Sequence, residues 1–379
     1  MKILFTHPSA ELYGSDRMAV QAVRALVDAG HSVTVIAPGD GPLAANFLEA
    51  GARFIPSQVP VLRKSDLSSS GILRLVRQVA RSIPQLLHIV RQEDPQVIYI
   101  NTIVQPWWMI AALLTRRKQV VHVREAESNS SRIVRTMLHL PLLGASRIIC
   151  NSRATASEVS AAVRGLARRT VVIYNGKDWS PYLSEGDLSI PQKSDSAKTS
   201  LTVVGRLSPR KGQDLAIRAA AMLQDLGIDV DLSLVGDTFA GYEWFYDELR
   251  SLAQKLGMAD RVKFLGFQHD IIPTLRTTDI AIVPSRIEPF GTVAAESMAA
   301  GVLTIVANVQ GLIEIVTDRE TGLTFEAGKA ESLAQACVWA IKNAGDATRI
   351  AIAGQESVPE RFSLESYKSA VVSVLEKVQ

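Results

Sequence analysis

The sequence has few cysteines, few aromatic residues and no long apolar run. Two cysteines among 379 residues, Cys150 and Cys337, cannot supply a disulfide framework, so we expect two buried thiols in a reducing compartment. Charged residues break every apolar stretch before it reaches the roughly 18 residues that a membrane span needs. The first residues are apolar over only a few positions, which predicts no secretory signal peptide. These absences favour a cytoplasmic protein.

The chain also lacks a strong net charge, but its charges are unevenly distributed. Residues 1–180 carry 22 Lys and Arg against 12 Asp and Glu, which leaves 19 of the chain's 41 basic and 26 of its 38 acidic residues for the remainder. A basic first half predicts an anionic surface or substrate for that half. Aromatic residues make up only 6% of the chain, and few of them lie among the basic residues, so no nucleic-acid partner is expected.

Short apolar runs alternate with helical patterns along the chain. Continuous Val, Ile and Leu runs separated by helices are typical of parallel strands buried on both faces of a sheet. The predicted strands are 2–6, 32–37, 97–101, 120–123, 148–151 and 171–174 in a first series, and 201–204, 231–235, 262–265, 280–283 and 303–307 in a second. The fold class is therefore α/β, with two doubly wound, Rossmann-like domains.

A polar, serine-rich segment with two prolines separates the two series, and it reads as a linker. The predicted organisation is a first domain over 1–180, a linker over 181–200, a second domain over 201–360 and a C-terminal helix over 361–379, which could pack back on the first domain. Two such domains joined by a linker are expected to face a central cleft between the carboxyl ends of their sheets. Ligands bind at the carboxyl ends of parallel strands, so the cleft is the expected binding site.

The stretch from Glu288 to Gly301 places two carboxylates eight positions apart across a predicted loop-to-helix junction. Pro289 and Gly291 keep Glu288 off a helix, and Thr292 is predicted to cap a helix that carries Glu296 and stops at Gly301. Free N–H groups at a helix start attract phosphate, and carboxylates accept hydrogen bonds from sugar hydroxyls. The element suits a molecule with phosphate in the middle and a sugar at each end.

Two further loops follow predicted strands. Arg206 and Lys211 lie at the end of the strand 201–204, where two cations would hold a diphosphate. Gly14 and Ser15 lie between the first strand and a predicted helix, where backbone N–H groups would meet a ligand. This loop is not GxGxxG, so the dinucleotide fingerprint of a nicotinamide dehydrogenase is missing.

Two other motifs have competing interpretations. His122 lies at the end of a predicted strand and borders a polar run, 124–127, that is expected at the mouth of the cleft. A functional role is therefore predicted for His122, and the alternative is an ordinary core or surface histidine. Asp229 and Asp231 form a DxD, which binds metal in other enzymes. Here the motif opens a strand, at the end away from the cleft, and no His or Cys cluster has metal-ligand spacing, so no metal is expected.

The chain resembles the retaining glycosyltransferases of family four, which have the GT-B fold. The element 288–296 is similar to that family's E-x7-E motif, 203–212 to its VGRL…KG motif and 172–176 to its V.PNG stretch, and Gly14 matches its N-terminal glycine loop. The similarity covers nearly the whole chain. Tyr174 departs from the pattern, because it stands where the family has proline.

The resemblance implies a nucleoside diphosphate sugar as donor, held by the second domain without a metal or other cofactor. It implies that Arg206 and Lys211 hold the diphosphate, that Glu296 binds the nucleotide ribose, and that Glu288 and His122 meet the transferred sugar. It also implies further donor contacts: Gly14, Ser15, Gly205 and Gly236 in glycine loops, Phe267 and Gln268 beside the base, and Phe290, Gly291 and Thr292 through their backbone.

The expected activity is retaining, hexosyltransferase-type transfer from a UDP- or GDP-linked sugar to a saccharide or lipid-linked acceptor, as in bacterial polysaccharide or envelope glycolipid synthesis. The alternatives are a GT-B nucleotide-sugar epimerase and a non-catalytic nucleotide-sugar-binding protein. The sequence does not identify the base, the sugar, the acceptor or the oligomeric state, and it leaves a front-face and a double-displacement mechanism open.

A basic amphipathic stretch, 72–90, and the cluster 116–118 predict peripheral contact with an anionic membrane, at the inner face of the cell membrane. Pro84 is expected to break the amphipathic stretch into two helices.

Overall fold

The computed structural model describes residues 1–39, 41–62, 69–125, 132–183, 198–238 and 241–378, and of 69–76 and 133 it describes the backbone alone. The chain divides into two compact units. Unit 1 comprises residues 1–176 together with the C-terminal segment that begins at Leu364, and unit 2 comprises Lys177–Ser363. The predicted linker, 181–200, lies largely outside the described residues. Its last two residues belong to the first strand of unit 2.

The sheet of unit 1 is wholly parallel, with the strand order β3-β2-β1-β4-β5-β6-β7. Its strands are β1 (Lys2–Thr6), β2 (Ser32–Ala37), β3 (Arg53–Pro56), β4 (Val97–Ile100), β5 (Lys118–Val123), β6 (Arg147–Cys150) and β7 (Thr170–Val172). The strand order reverses between β1 and β4, and the crevice at their carboxyl ends is where ligands bind in such folds.

The helices of unit 1 cover both faces of this sheet, which explains the continuous apolar runs of its strands. They are α1 (Gly14–Asp28), α2 (Leu43–Glu49), α3 (Ser69–Glu93), α4 (Pro106–Leu114), α5 (Arg132–His139) and α6 (Arg153–Ala162), with α14 (Leu364–Glu376) added from the end of the chain. One core lies under α1, α2 and α14, and the other lies under α3, α4 and α6.

Helix α3 runs unbroken through Pro84, so the predicted division into two helices is wrong. Proline removes one backbone hydrogen bond and costs about 3 kcal/mol inside a helix. Pro84 lies on the exposed side of α3, whereas Leu86 and Val90 are buried against the sheet. Packing of the apolar face therefore carries the helix through the proline.

The sheet of unit 2 is also parallel, with the order β10-β9-β8-β11-β12-β13. Its strands are β8 (Thr199–Val204), β9 (Val230–Val235), β10 (Val262–Gly266), β11 (Ile280–Val283), β12 (Leu303–Ala307) and β13 (Leu323–Phe325). Its helices are α7 (Gln213–Asp225), α8 (Glu243–Lys255), α9 (Ile272–Arg276), α10 (Thr292–Ala299), α11 (Leu312–Ile315), α12 (Ala330–Lys342) and α13 (Ala344–Arg361). Here the strand order reverses between β8 and β11.

The sequence predicted a break in the helical pattern that begins at Pro359. Helix α13 instead contains Pro359 and ends at Arg361, so the break comes after Arg361. The following helix, α14, returns to unit 1 and packs against α1. The two parallel sheets confirm the predicted α/β class with two doubly wound units. Among the described helices, none is long and apolar enough to cross a bilayer.

Candidate active site

The charged centre of unit 2 is an ion pair between Lys211 and Glu288. Lys211 ends a 3-10 turn, Pro209–Lys211, in the loop after β8, and Glu288 lies in the loop after β11. The Lys211 Nζ lies 2.5 Å from Glu288 Oε2, and the Ser285 hydroxyl donates to the same oxygen over 3.0 Å. Because β8 and β11 are the strands at which the strand order reverses, this pair lies where such a fold binds its ligand.

Glu288 is ionised although it is almost fully buried, at 7% exposure. Burial by itself raises the pKa of this carboxyl, but the charges of Lys211 and Arg210 and the hydrogen bonds from Lys211 and Ser285 together outweigh it. The pKa of Glu288 consequently lies below its ordinary value. The centre therefore offers one fixed carboxylate and one ammonium group side by side.

The two loops that carry this pair are fastened to each other. Arg286 makes a bidentate pair with Asp214 at 2.8 and 2.7 Å, and its backbone N–H donates to Arg210 O over 2.8 Å. Gly212, at φ +73°, lies so close to β11 that an added Cβ would fall 2.0 Å from Pro284 O. Only glycine permits this approach, which brings the lysine loop against the glutamate loop.

The helix α10 begins at Thr292, but its N-cap is Gly291 rather than the predicted Thr292. Gly291 adopts φ +108°, a left-handed conformation that glycine tolerates because it has no Cβ and that other residues rarely adopt. Phe290 is buried edge-to-face against Phe362, so this residue offers a ligand only its backbone. The start of α10 lies four positions after Glu288 in the chain and carries the partial positive charge of a helix N-terminus.

The second carboxylate of the motif, Glu296, also has a cationic partner. Lys177 Nζ lies 2.5 Å from Glu296 Oε1, and Tyr182 Oη donates to the same oxygen over 3.3 Å. The sequence did not indicate Lys177 or Tyr182, because no spacing rule joins residues more than a hundred positions apart.

The remaining candidates of unit 2 lie in loops that follow strands. Arg206 is half-buried after β8, and its carbonyl accepts a hydrogen bond from Gln213. Gly205 and Gly236 lie at the ends of β8 and β9. There Gly205 N–H donates to Val235 O, which joins the two loops.

Beyond β10, Phe267 has a partly exposed ring, at 38%, edge-on to His269, and its N–H donates to Asp237. Gln268 is engaged through its side-chain oxygen, which accepts from the Thr274 hydroxyl over 2.7 Å. The structure thus places all of these candidates beside the carboxyl ends of the strands of unit 2.

In unit 1, Gly14 and Ser15 are exposed and form the first turn of α1, which begins two residues before its predicted start at Asp16. The side chain of His122 is fully buried within β5. Its Nδ1 lies 2.7 Å from Tyr99 Oη and 3.3 Å from Arg124 Nη2. Burial and the charge of Arg124 hold the pKa of His122 well below its ordinary value, so this histidine is neutral. The polar run beyond Glu125 lies outside the described residues.

His122 belongs to a buried polar network at the carboxyl edge of the unit 1 sheet that the sequence did not reveal. Arg124 donates to Asn101 Oδ1 at 2.9 Å, to Asn175 Oδ1 at 3.1 Å and to Tyr367 Oη at 3.0 Å. Asn101 in turn contacts His7 Nδ1, and His7 Nε2 lies 2.9 Å from Asp16. The network joins the ends of several strands to α1 and α14, and the residues that form it are far apart in the sequence.

The DxD motif lies at the amino end of β9, where it was expected. Asp231 contacts Lys198 at 3.1 Å, Arg261 at 3.3 Å and Lys263 at 3.4 Å, so its carboxylate is already neutralised by protein cations. Within the described ranges, no group of three or more His, Cys, Asp or Glu side chains converges as metal ligands would.

Two family models match this chain, one over each unit. The model of Glycosyltransferase Family 4 matches residues 13–179, and the model of Glycosyl transferases group 1 matches residues 187–357. Together they span most of the chain, and each coincides with one doubly wound unit.

Similar proteins support the same assignment. The chain is 27% identical over 364 residues to the lipopolysaccharide core biosynthesis glycosyltransferase LpsE of Rhizobium meliloti (strain 1021), covering 96% of this chain and 95% of that protein. It is 31% identical to the D-inositol 3-phosphate glycosyltransferase of Rhodococcus jostii (strain RHA1), over 60% of this chain and 53% of that one. Among solved structures, Anabaena Alr3699/HepE in complex with UDP-glucose superposes with a TM-score of 0.81 at 26% identity, over the whole of both chains.

Proposed function

We propose that this chain, which belongs to the group 1 glycosyl transferases of glycosyltransferase family four, transfers a sugar from a nucleoside diphosphate sugar to a saccharide or lipid-linked acceptor with retention of anomeric configuration. The observation that carries the proposal is the Lys211–Glu288 pair beside the start of α10, at the point where the strand order of unit 2 reverses. A cation and a helix N-terminus suit the diphosphate, and a buried carboxylate suits sugar hydroxyls.

The similar proteins favour one class of donor and one class of acceptor. The Anabaena protein has been solved with UDP, with UDP and glucose, and with UDP-glucose. We therefore place a UDP-sugar ahead of a GDP-sugar as the donor. The Rhizobium relative takes part in lipopolysaccharide core biosynthesis, which supports an acceptor of the bacterial envelope.

In the proposed reaction, the bond between the anomeric carbon and the diphosphate oxygen breaks, and a bond to the acceptor oxygen forms on the same face of the sugar. The acceptor proton passes to the departing phosphate oxygen, so the products are a glycoside and a nucleoside diphosphate. Negative charge grows on the departing oxygens, and Lys211, Arg206 and the N–H groups at the start of α10 would bind it more strongly in the transition state.

Glu288 fits a sugar-binding role better than that of a nucleophile. The Oε2 of Glu288 accepts hydrogen bonds from both Lys211 and Ser285, and the pKa of the carboxyl is lowered. This oxygen is therefore a weak nucleophile toward the anomeric carbon. This argument favours the front-face route. Because Lys211, Arg206 and the helix start supply the positive charge, the proposal involves no metal, and transfer should persist in the presence of EDTA.

A nucleotide panel followed by a transfer assay tests the proposal. Thermal-shift measurements with UDP, GDP and ADP should show stabilisation that rises with the ratio of nucleotide concentration to Kd, and most strongly with UDP. Proton NMR of the first product formed from an α-linked UDP-sugar should show an α-glycoside. Stabilisation by none of the three nucleotides would contradict the donor class, and an epimerised free or nucleotide-linked sugar would favour the epimerase alternative.

We further propose that unit 1 touches an anionic membrane surface, through a face different from the one that the sequence indicated first. Five large apolar side chains are exposed between 46% and 69% on this face. They are Leu113, Leu114, Met137, Leu140 and Leu143. The helices that carry them pack together, and an added Cβ at Gly144 would lie 2.9 Å from Leu113 Cδ2.

Basic residues accompany these apolar side chains without any acidic neighbour in the same segments. The segments 106–118, 132–149 and 159–172 contain nine Lys and Arg and no Asp or Glu. Arg169 lies directly beside the apolar residues, since its guanidinium donates to Leu143 O over 2.7 Å. Exposed apolar groups with a basic rim suit the interface of an anionic bilayer, as at the inner face of a cell membrane.

Vesicle co-sedimentation tests this face. The protein should bind phosphatidylglycerol-containing vesicles but not pure phosphatidylcholine, and binding should weaken as salt screens the charges. Leu113→Ser combined with Leu140→Ser should reduce binding, whereas Leu226→Ser, at an equally exposed leucine of unit 2, should not. Equal binding by wild type and the Leu113/Leu140 variant would remove this face from the proposal.

A further inference from the structure

The first residues of unit 2 bring two polar side chains to Glu296. Trp179 Nε1 donates to Phe362 O over 2.8 Å, and Lys177 N–H donates to the same carbonyl over 3.1 Å. Trp179 and Tyr182 also contact each other edge-to-face at 5.8 Å. These contacts fix the positions from which Lys177 and Tyr182 reach the carboxylate.

The three side chains form one compact cluster. Lys177 Nζ lies 2.5 Å from Glu296 Oε1, 2.5 Å from Tyr182 Oη and 4.4 Å from the centre of the Tyr182 ring. The ammonium group is thus held by a carboxylate, a hydroxyl and an aromatic face together. The Glu296 side chain is 12% exposed and that of Lys177 is 27% exposed, so the cluster is partly shielded from water and open to a ligand.

This arrangement determines which carboxylate oxygen is available. Both Lys177 and Tyr182 contact Oε1 of Glu296, so Oε2 is the oxygen through which the carboxylate would accept a hydroxyl. The charge of Lys177 also matters, because an uncompensated carboxylate would repel an anionic nucleotide. Lys177 therefore neutralises Glu296 and fixes its orientation at the same time.

We propose that Lys177, assisted by Tyr182, is a positioning residue of the nucleoside subsite, and that it makes Glu296 selective for a nucleotide whose ribose carries the hydroxyl group that Oε2 accepts. The inference rests on the proposed function and on the role that the family resemblance implies for Glu296, which is to bind the nucleotide ribose. It adds that the preference for ribonucleotide over deoxyribonucleotide depends on a side chain outside the two-glutamate element.

The test compares nucleotides that differ by one hydroxyl. Calorimetric Kd values for UDP, 2′-deoxy-UDP and 3′-deoxy-UDP are measured on wild type, Lys177→Met and Tyr182→Phe. Wild type should bind UDP about tenfold or more tightly than at least one deoxy analogue, as expected for a hydroxyl bonded to a charged group. Lys177→Met should bind UDP about tenfold more weakly and should discriminate little between UDP and that analogue.

Lys198→Met is the matched control, because Lys198 also pairs with a carboxylate of unit 2, Asp231, at the amino end of β9. It should bind all three nucleotides as wild type does. Lys177→Arg keeps the charge and should recover part of the discrimination. In the transfer assay, Lys177→Met should raise the donor KM and leave kcat within about threefold of the wild-type value. The reason is that the contacts to the ribose are equally strong in the ground state and in the transition state.

The outcomes separate this inference from the proposed function. If wild type binds none of the nucleotides, the proposed donor is wrong and the inference falls with it. If wild type binds UDP and discriminates, but Lys177→Met keeps both affinity and discrimination, only the role of Lys177 is overturned. If Lys177→Met does not fold, Tyr182→Phe decides, because it removes a single oxygen and should lower the discrimination alone.

Discussion

Replacing Lys211 with methionine should damage stability and turnover by two different amounts. The substitution keeps most of the side-chain volume but removes the ammonium group that lies 2.5 Å from Glu288. Removing one partner of a buried ion pair costs about 3–5 kcal/mol. Because Ser285 still donates to Glu288 and Arg210 still attracts it, we expect the lower end, about 3 kcal/mol. For a unit of this size that is a fall in Tm of about 6–12 °C.

Turnover should fall further than stability explains. Lys211 would face the departing diphosphate, and loss of one such donor lowers kcat by about 100- to 1000-fold. The assay is the initial rate at saturating donor, measured well below the Tm of the variant, with circular dichroism to show that the protein is folded.

A second substitution separates the two effects. Combining Lys211→Met with Glu288→Gln removes both charges, so no uncompensated carboxylate remains buried and much of the lost Tm should return. The rate should stay low, because the positive charge is still missing. A Lys211→Met protein with kcat close to wild type would refute the leaving-group role, and recovery of the rate in the double variant would assign Lys211 to structure alone.

Two other predictions concern stability. Gly291→Ala places a Cβ 2.5 Å from Leu312 Cδ2 at φ +108°, so strain and overpacking together should cost about 2–4 kcal/mol in thermal or urea unfolding. Gly328→Ala, at φ +78° with open space around it, should cost only about 1–2 kcal/mol, and equal losses in the two variants would contradict the packing argument. Because burial lowers the pKa of His122, the unfolded chain takes up a proton before the folded protein does as pH falls below about 6.5. Relative to His122→Gln, wild type should therefore lose up to about 1.4 kcal/mol of its free energy of unfolding per pH unit. Urea midpoints measured between pH 7 and pH 5 check this, and parallel curves for the two proteins would contradict it.

Local spacing predicted which loops of unit 2 meet at one edge of its sheet. The residues 205–212 and 288–296 are each a single loop with a helix start, so their order along the chain already brings their functional groups to one edge of a sheet. Alternating apolar runs located the interior strands, and four of them, at 2–6, 32–37, 280–283 and 303–307, have the predicted bounds. The strands β3 and β13 were missed because they are short and lie at the sheet edges.

Contacts between distant residues could not be predicted in this way. Lys177 meets Glu296 across 119 positions, and Arg124 meets Tyr367 across 243. Local propensity also failed at Pro84 and Pro359, since tertiary packing outweighs a single missing backbone hydrogen bond. The contacts of His122 could not be predicted either, because Tyr99 lies 23 positions away from it in the chain.

The position of α14 in unit 1 has a consequence for the order in which the chain folds during synthesis. Unit 2 is one continuous segment and can assemble as soon as it leaves the ribosome, whereas unit 1 waits for a helix encoded after all of unit 2. Until then the face of α1 that packs on Val371 and Leu375 stays uncovered, and Arg124 lacks the Tyr367 hydroxyl. The unit made first is therefore completed last, so the nascent first half presents an apolar surface to chaperones for the whole time needed to make the second.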